Sequence, residues 1–275
     1  MANDVQVLIN TFAIRSFRET ADKDYIAARM AHRASLFQPF LWSALHCLEK
    51  YVKGILVLNR VKAHKGHSVL PGIKLMNKHG KFELDLSATT IEFIRKLEHY
   101  GAEYRYYEVS YEVEQLDIVR LDNAVWELRR YCQPLDYDTL DEHGNQVNSL
   151  SRELDRIHRA KANKEKGTSV IGGALERIIE MKDHPARDAL IWNNLYFGPS
   201  RRKIIKMRSG FEAGNSPFFL NPEIIDEVLK YVFIPGKVAE GVRKFAKQKA
   251  LAKAKADRDA RKAAKAAAKK LGKPI

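Results

Sequence analysis

Two groups of residues in this 275-residue chain have the types and spacing to do chemistry. The first is Arg201, Arg202, Lys203, Lys206 and Arg208, a cluster of cations without acids that follows Trp192, Tyr196 and Phe197. Cations for phosphates beside aromatic faces for bases is the composition of a single-strand nucleic-acid surface. The plainer reading, which weighs more, makes those aromatics core and the cations their surroundings. The second group is His64, His67 and His79. No carboxylate or thiolate shares their spacing and HExxH is absent, so no metal site and no cofactor is expected. No Walker-type or GxGxxG string offers a phosphate loop, and Gly172-Gly173 is a lone pair between apolar residues.

The position of the charge says more than its size. Of the net charge of +14, residues 243–275 carry 13 Lys and Arg against 2 Asp, which leaves the rest nearly balanced at +3. Lys253, Lys255, Arg258, Arg261 and Lys262 stand in the middle of this Ala/Lys-rich tail. Such cations neutralise phosphates without reading bases, so binding through them should be non-specific and salt-sensitive. A membrane surface is the weaker partner, because no Trp, Leu or Phe face accompanies the charge. The longest strongly apolar run, Ile55 to Leu58, is too short to span a bilayer, and the N-terminus has no basic leader. Two cysteines, Cys47 and Cys132, without a CxxC, suit a reducing cytoplasm.

The elements that must position these groups are helical. Residues 37–59 place Phe40, Leu41, Ala44, Leu45, Leu48, Tyr51, Val52, Ile55 and Leu56 on one stripe of a long helix, with Ser43, Cys47, Lys50 and Gly54 opposite. Residues 1–19 read as a short ordered arm, and Thr20 as the cap of a helix from about Ala21 to Leu36. Further helices are expected over Val69–Met76 (capped by Ser68), from Ser87 to Tyr100 (stopped by Gly101), and over about Tyr111–Tyr131. Residues 103–111 are a loop or extended. The polar stretch 135–149 is the candidate domain boundary. Beyond it, helices are expected over Leu150–Glu165, Val170–Met181 and Pro185–Leu195, and from Asn221-Pro222 through Val232, with no strand pair. The tail from residue 242 has too few large apolar residues to pack, and should be a solvated helix or disordered.

The strings Phe40-Leu41-Trp42-Ser43-Ala44-Leu45, Leu48-Glu49-Lys50-Tyr51-Val52-Lys53 and Ile55-Leu56-Val57-Leu58-Asn59, with Gly66-His67-Ser68-Val69-Leu70, resemble the second helix of HEPN domains and the segment after it. The resemblance covers about residues 20–135. It implies an all-α bundle that dimerises and is tied to RNA or nucleotides. It also implies, for enzymatic members, a metal-independent RNase built on an Arg and a His with four to six residues between them. Imidazole takes the 2′-hydroxyl proton while guanidinium holds the phosphate. At the corresponding place stand Arg105 and Tyr106, but Tyr111 replaces the histidine, and a phenol is a poor base at neutral pH. Arg60 with His67, Arg152 with His158, and Arg177 with His184 meet the spacing elsewhere, and chance explains each more readily.

The chain is thus expected to be all-α: a HEPN-like bundle (20–135) after an arm (1–19), a helical extension (145–241) and a basic tail (242–275). The leading function is association with RNA or another nucleic acid through Arg105, Tyr106, the 201–208 cluster and the tail, with no working RNase motif. The alternatives are a metal-independent endoribonuclease using His67, His158 or His184, and a dimeric helical module pairing with a nucleotidyltransferase. A homodimer is the expected assembly.

Overall fold

In this computed structural model, helix α3, Phe37–Leu58, is the element around which the helices of residues 2–129 pack. The structure describes residues 2–63, 65–101, 107–162, 171–199, 204–207 and 210–271. The expected stripe is buried from Phe40 to Leu56, with Leu45, Leu48, Val52 and Ile55 each at most 3% exposed. Burial goes further round than the stripe, since Cys47 and Gly54 are covered too. A Cβ at Gly54 would sit 3.1 Å from Phe17 Cβ, so glycine lets the preceding turn lie flat on α3.

That turn corrects the reading of the N-terminus. Residues 1–19 are not an arm: α1 (Ala2–Ala13) passes through a π-helical turn, Ile14–Arg18, into α2 (Glu19–Arg33) without a break. Thr20 does not cap; its hydroxyl donates back to the carbonyls of Ser16 (2.7 Å) and Phe17 (3.1 Å), as a helix-interior threonine does. α2 packs along α3, with Tyr25 and Ala28 fully buried.

Two short helices close the bundle, α4 (Val69–His79) and α5 (Ala88–Tyr100). Ser68 makes no cap bond; the Glu98 carboxylate on α5 instead accepts the amides of Val69 and Leu70, an anion at a helix N-terminus. Ser87 caps α5 as expected, and Gly101, at φ 55°, ends it.

The helix expected over 111–131 is two elements. Tyr-Glu-Val-Glu alternates, buries Val113 and forms strand β1 (Tyr111–Glu114). Asp117 then accepts the Glu114 amide at 3.0 Å and opens α6 (Asp117–Arg129). The 135–149 stretch holds a hairpin where no strand pair is expected. β2 (Asp138–Leu140) pairs antiparallel with β3 (Gln146–Asn148) across a turn in which Asp141 accepts the amides of His143 and Asn145. α7 (Leu150–Ala162) runs to the edge of the described residues, and α8 (Ala174–Glu180) and α9 (Arg187–Ile191) are shorter than expected. Strand β4 (Phe211–Gly214) pairs with β1.

The chain divides into two compact units, residues 1–105 with 112–212, and residues 106–111 with 213–275. In the second, a short helix α10 (Pro217–Leu220) comes first, and the helix expected from Asn221-Pro222 through Val232 is reduced to a 3₁₀ turn (Pro222–Ile224) and α11 (Ile225–Val228). They pack on the start of α12 (Gly236–Leu271) through Phe218, Ile225, Ile234, Val238 and Ala239. The fold is all-α with small sheets, and no described helix is long and apolar enough to cross a membrane.

Leu48 is fully buried on the central helix, so Leu48→Ala leaves a cavity. Chemical denaturation should show a loss of about 2–5 kcal/mol. A loss below about half a kcal/mol, the range of ordinary surface substitutions, would mean that α3 is not the core.

Candidate nucleic-acid interface

The aromatic and basic segment near residue 200 separates into core and surface. Tyr196 and Phe197 are core: their rings lie 5.7 Å from Trp126 and 5.5 Å from Tyr25, and the Asn194 side chain accepts both their amides at 2.9 Å. Burial pushes the Tyr196 phenol up to about 12, with the charges of Asp122 and Glu127 adding to the shift. Trp192 is different. It is half-exposed and lines an open cleft of about 470 Å³ with Gln115, Asn193, Lys206, Phe211 and Glu212. The Arg33 guanidinium sits 5.8 Å from the Trp192 ring centre, and Phe211 is 66% exposed. An exposed indole and phenyl beside Lys206 and Arg33 can stack bases and meet phosphates, with Glu212 as the opposing charge. Arg201, Arg202, Lys203 and Arg208, like Arg105, Tyr106 and His64, lie outside the described residues.

The cleft is held from beneath by buried charge. Arg29 is fully buried and donates to Asp122, to the Ala189 carbonyl (2.9 Å) and to the Trp192 carbonyl. Tyr25 donates to the same Asp122 oxygen at 2.7 Å, and Asn194 donates to Tyr25 at 2.8 Å. Burial raises the Asp122 carboxyl above its ordinary value, while Arg29 and Tyr25 pull it back. A second centre holds Arg129 on Asp22 (2.8 and 3.0 Å) and on Glu176 (2.6 and 2.7 Å). The sequence gives no sign of this network, because its partners are about 50 to 170 residues apart and carry no local signal.

The three arginine–histidine pairs are each engaged elsewhere. Arg60, at φ 58°, closes the end of α3 by donating to the Val57 and Leu58 carbonyls and reaches α1 at Gln6 (2.6 Å) and Asn10 (2.9 Å). His67 turns its Nδ1 to Glu49 at 3.0 Å. Arg152 and His158 stand six residues apart on α7, about 240° around the helix axis, so they project from different faces. Arg152 approaches Tyr137 and Glu153, whereas His158 lines a separate cavity of about 400 Å³ beside Phe82 to Leu86. Arg177 lies 3.8 Å from Glu19, and His184 Nδ1 accepts the Ala186 amide at 3.1 Å within a turn. Tyr111, at the position where a histidine would serve, lies in β1 with its ring 5.7 Å from Tyr107.

The basic tail is helical to Leu271. Lys253, Lys255, Arg258, Arg261 and Lys262 are all exposed on α12. Arg243 is held by Asp226 (2.8 Å) and Lys249 by the Leu220 carbonyl (2.5 Å), both within the second unit. Burial moves the Cys47 and Cys132 thiols up, which makes both poor nucleophiles.

Residues 14–139 match the model of the HEPN domain. No curated protein and no solved structure matches the chain.

The split between core and cleft aromatics is measurable. Tyr196→Ala should cost about 3–5 kcal/mol of stability, as large buried aromatics do. Trp192→Ala should leave the melting temperature within a few degrees of wild type, yet weaken single-stranded oligonucleotide binding by about 1–3 kcal/mol. Unchanged binding of a folded Trp192→Ala protein would remove the cleft from the interface.

Proposed function

We propose, on the premise that residues 14–139 belong to the HEPN domain family, that this protein associates with nucleic acid, RNA foremost, and does so without cutting it. The single observation that carries the reading is α12. Its cations from Lys244 to Lys265 stand in solvent against only Asp257 and Asp259, and those beyond Lys249 have no acidic partner among the described residues. This is a surface for phosphates rather than for bases. The Trp192 cleft, in the first unit, is a separate surface on which bases can stack.

Two features support further parts of the reading. Each candidate histidine faces a structural partner or a separate cavity rather than the arginine of its own pair, which favours binding over RNA cleavage. Val5, Leu8 and Phe12 stand exposed along one stripe of α1, which supports the expected homodimer. A nucleotidyltransferase partner is an alternative occupant of the same stripe.

Removing residues 243–275 should flatten the salt dependence of RNA binding. If six cations each neutralise a phosphate of a single strand, the slope of log K against log salt should fall in magnitude by roughly 4. An unchanged slope would mean that residues 1–242 hold the whole site. Incubating RNA with the intact protein in EDTA should leave it uncut. Cleavage abolished by His67→Ala, His158→Ala or His184→Ala would overturn the non-catalytic reading and identify the base.

A further inference from the structure

The loop between α3 and α4 brings together three residues that the sequence keeps apart. His46 and Glu49, one turn apart, face the same side of α3, and His67 returns to them from the loop. Among the described residues, these three form a group whose ligand atoms all lie within 4.8 Å of one another. We propose that His46, Glu49 and His67 form a binding site for one divalent transition-metal ion, zinc foremost, which clamps this loop to α3.

The spacing of Glu49 and His67 suits that ion, and the His46 ligand atom lies within 4.8 Å of both. Two ligands each about 2.0–2.1 Å from a tetrahedral zinc lie about 3.3 Å apart. His67 Nδ1 stands 3.0 and 3.2 Å from the two Glu49 oxygens. Two imidazoles and one carboxylate select zinc and its neighbours over magnesium or calcium, which prefer all-oxygen cages. Three protein ligands leave a fourth position for water.

The surroundings hold the ligands in place. The Trp42 ring lies 4.0 Å from that of His46, and the His46 and His67 rings stack at 6.4 Å. Gly66, at φ 119°, makes the bend that delivers His67, a conformation side-chain-bearing residues resist. Arg60 anchors one end of the loop and Glu98, on the amides of Val69 and Leu70, anchors the other. Lys53 holds Glu49 Oε1 at 2.6 Å and leaves Oε2, which faces His67 Nδ1, to ligate, so it serves as an outer partner. Lys53 alone already neutralises Glu49, so charge balance does not explain two further imidazoles here. The His67 side chain is 76% exposed, which gives the ion a path in.

The test uses the full chain, stripped with EDTA and dialysed, then titrated with Zn²⁺ by calorimetry and with Co²⁺ by visible absorption. Wild type should take one equivalent and show the intense d–d bands of a four-coordinate cobalt site. His67→Ala, which alters an exposed loop residue, should weaken binding by about 10- to 100-fold or more and abolish those bands. Glu49→Gln should do the same where it folds, and His143→Ala, in the β2–β3 turn, should bind as wild type. Absence of saturable one-equivalent binding, or binding that His67→Ala leaves unchanged, would overturn the site. Neither readout involves RNA, so the outcome is independent of the binding function proposed above.

Discussion

Two ion pairs buried between α2 and α6 are the constraint on which the first unit depends. Asp22 meets Arg129, and seven residues along each helix Arg29 meets Asp122. Seven residues are about two helical turns, so each helix presents one acid and one base on a single face. The pairing 22 with 129 and 29 with 122 demands antiparallel helices in one register. A parallel arrangement would set Asp22 against Asp122 and Arg29 against Arg129. Stripping water from each ion costs several kcal/mol, and only close multidentate geometry offsets it. Arg129 meets that condition on Asp22 and Glu176, whereas Arg29 reaches Asp122 through one oxygen and the other oxygen is buried without a hydrogen-bond partner. Burial by itself would lower the Arg129 pKa, yet Asp22 and Glu176 raise it well above the ordinary value. Buried pairs of this kind add little to stability over apolar residues, but they exclude wrong pairings.

The same arginines bind the later chain to the bundle. Arg129 uses its remaining donors on Glu176 of α8, and Arg29 uses its own on the carbonyls of Ala189 and Trp192. The backbone of Trp192 is therefore held from below by a fully buried group, while its indole lines the open cleft. A stacking residue on a rigid support loses less entropy when a base settles on it. Core electrostatics and the proposed surface function thus meet in one residue.

Local features were legible in the sequence. The apolar stripe of α3, the Ser87 cap and the Gly101 stop each depend on residues within a turn or two, and each stands as expected. Expectation and structure part where a distant group replaces a local signal. Ser68 is a plausible cap by type, but Glu98 satisfies those amides from α5. Thr20 reads as a helix start, yet α1 and the π-helical turn run into α2 unbroken, with Phe17 against Gly54 of α3. The candidate sites follow the same rule. Proximity in sequence groups His67 with His64 and His79, whereas its neighbours in space, His46 and Glu49, stand about 20 residues earlier, and loop closure alone brings them together. Of the aromatics before residue 200, only Trp192 lines the open cleft, and no feature of composition separates it from Tyr196.

The long terminal helix has no core of its own, and its charge pattern decides what it can pair with. At about 100° per residue, Lys244, Lys247, Lys255, Arg258, Lys262 and Lys265 fall within an arc of about 80°, with Leu251 among them. That 3–4 spacing is the one an apolar coiled-coil seam would use, and cations occupy it here. Two copies of α12 facing each other along it would oppose six charges with six like charges, so self-pairing through this face is disfavoured. Both aspartates lie outside the arc. Over the roughly 32 Å from Lys244 to Lys265, a nucleic-acid duplex presents a phosphate charge every ~1.7 Å, far more than the helix needs to meet. Beyond its first turns, which pack on Phe218, Phe219 and Ile225, a helix of alanine and lysine is marginal in water, because its side chains are exposed and its like charges repel. A polyanion laid along the stripe removes that repulsion, so binding and helix formation should reinforce each other.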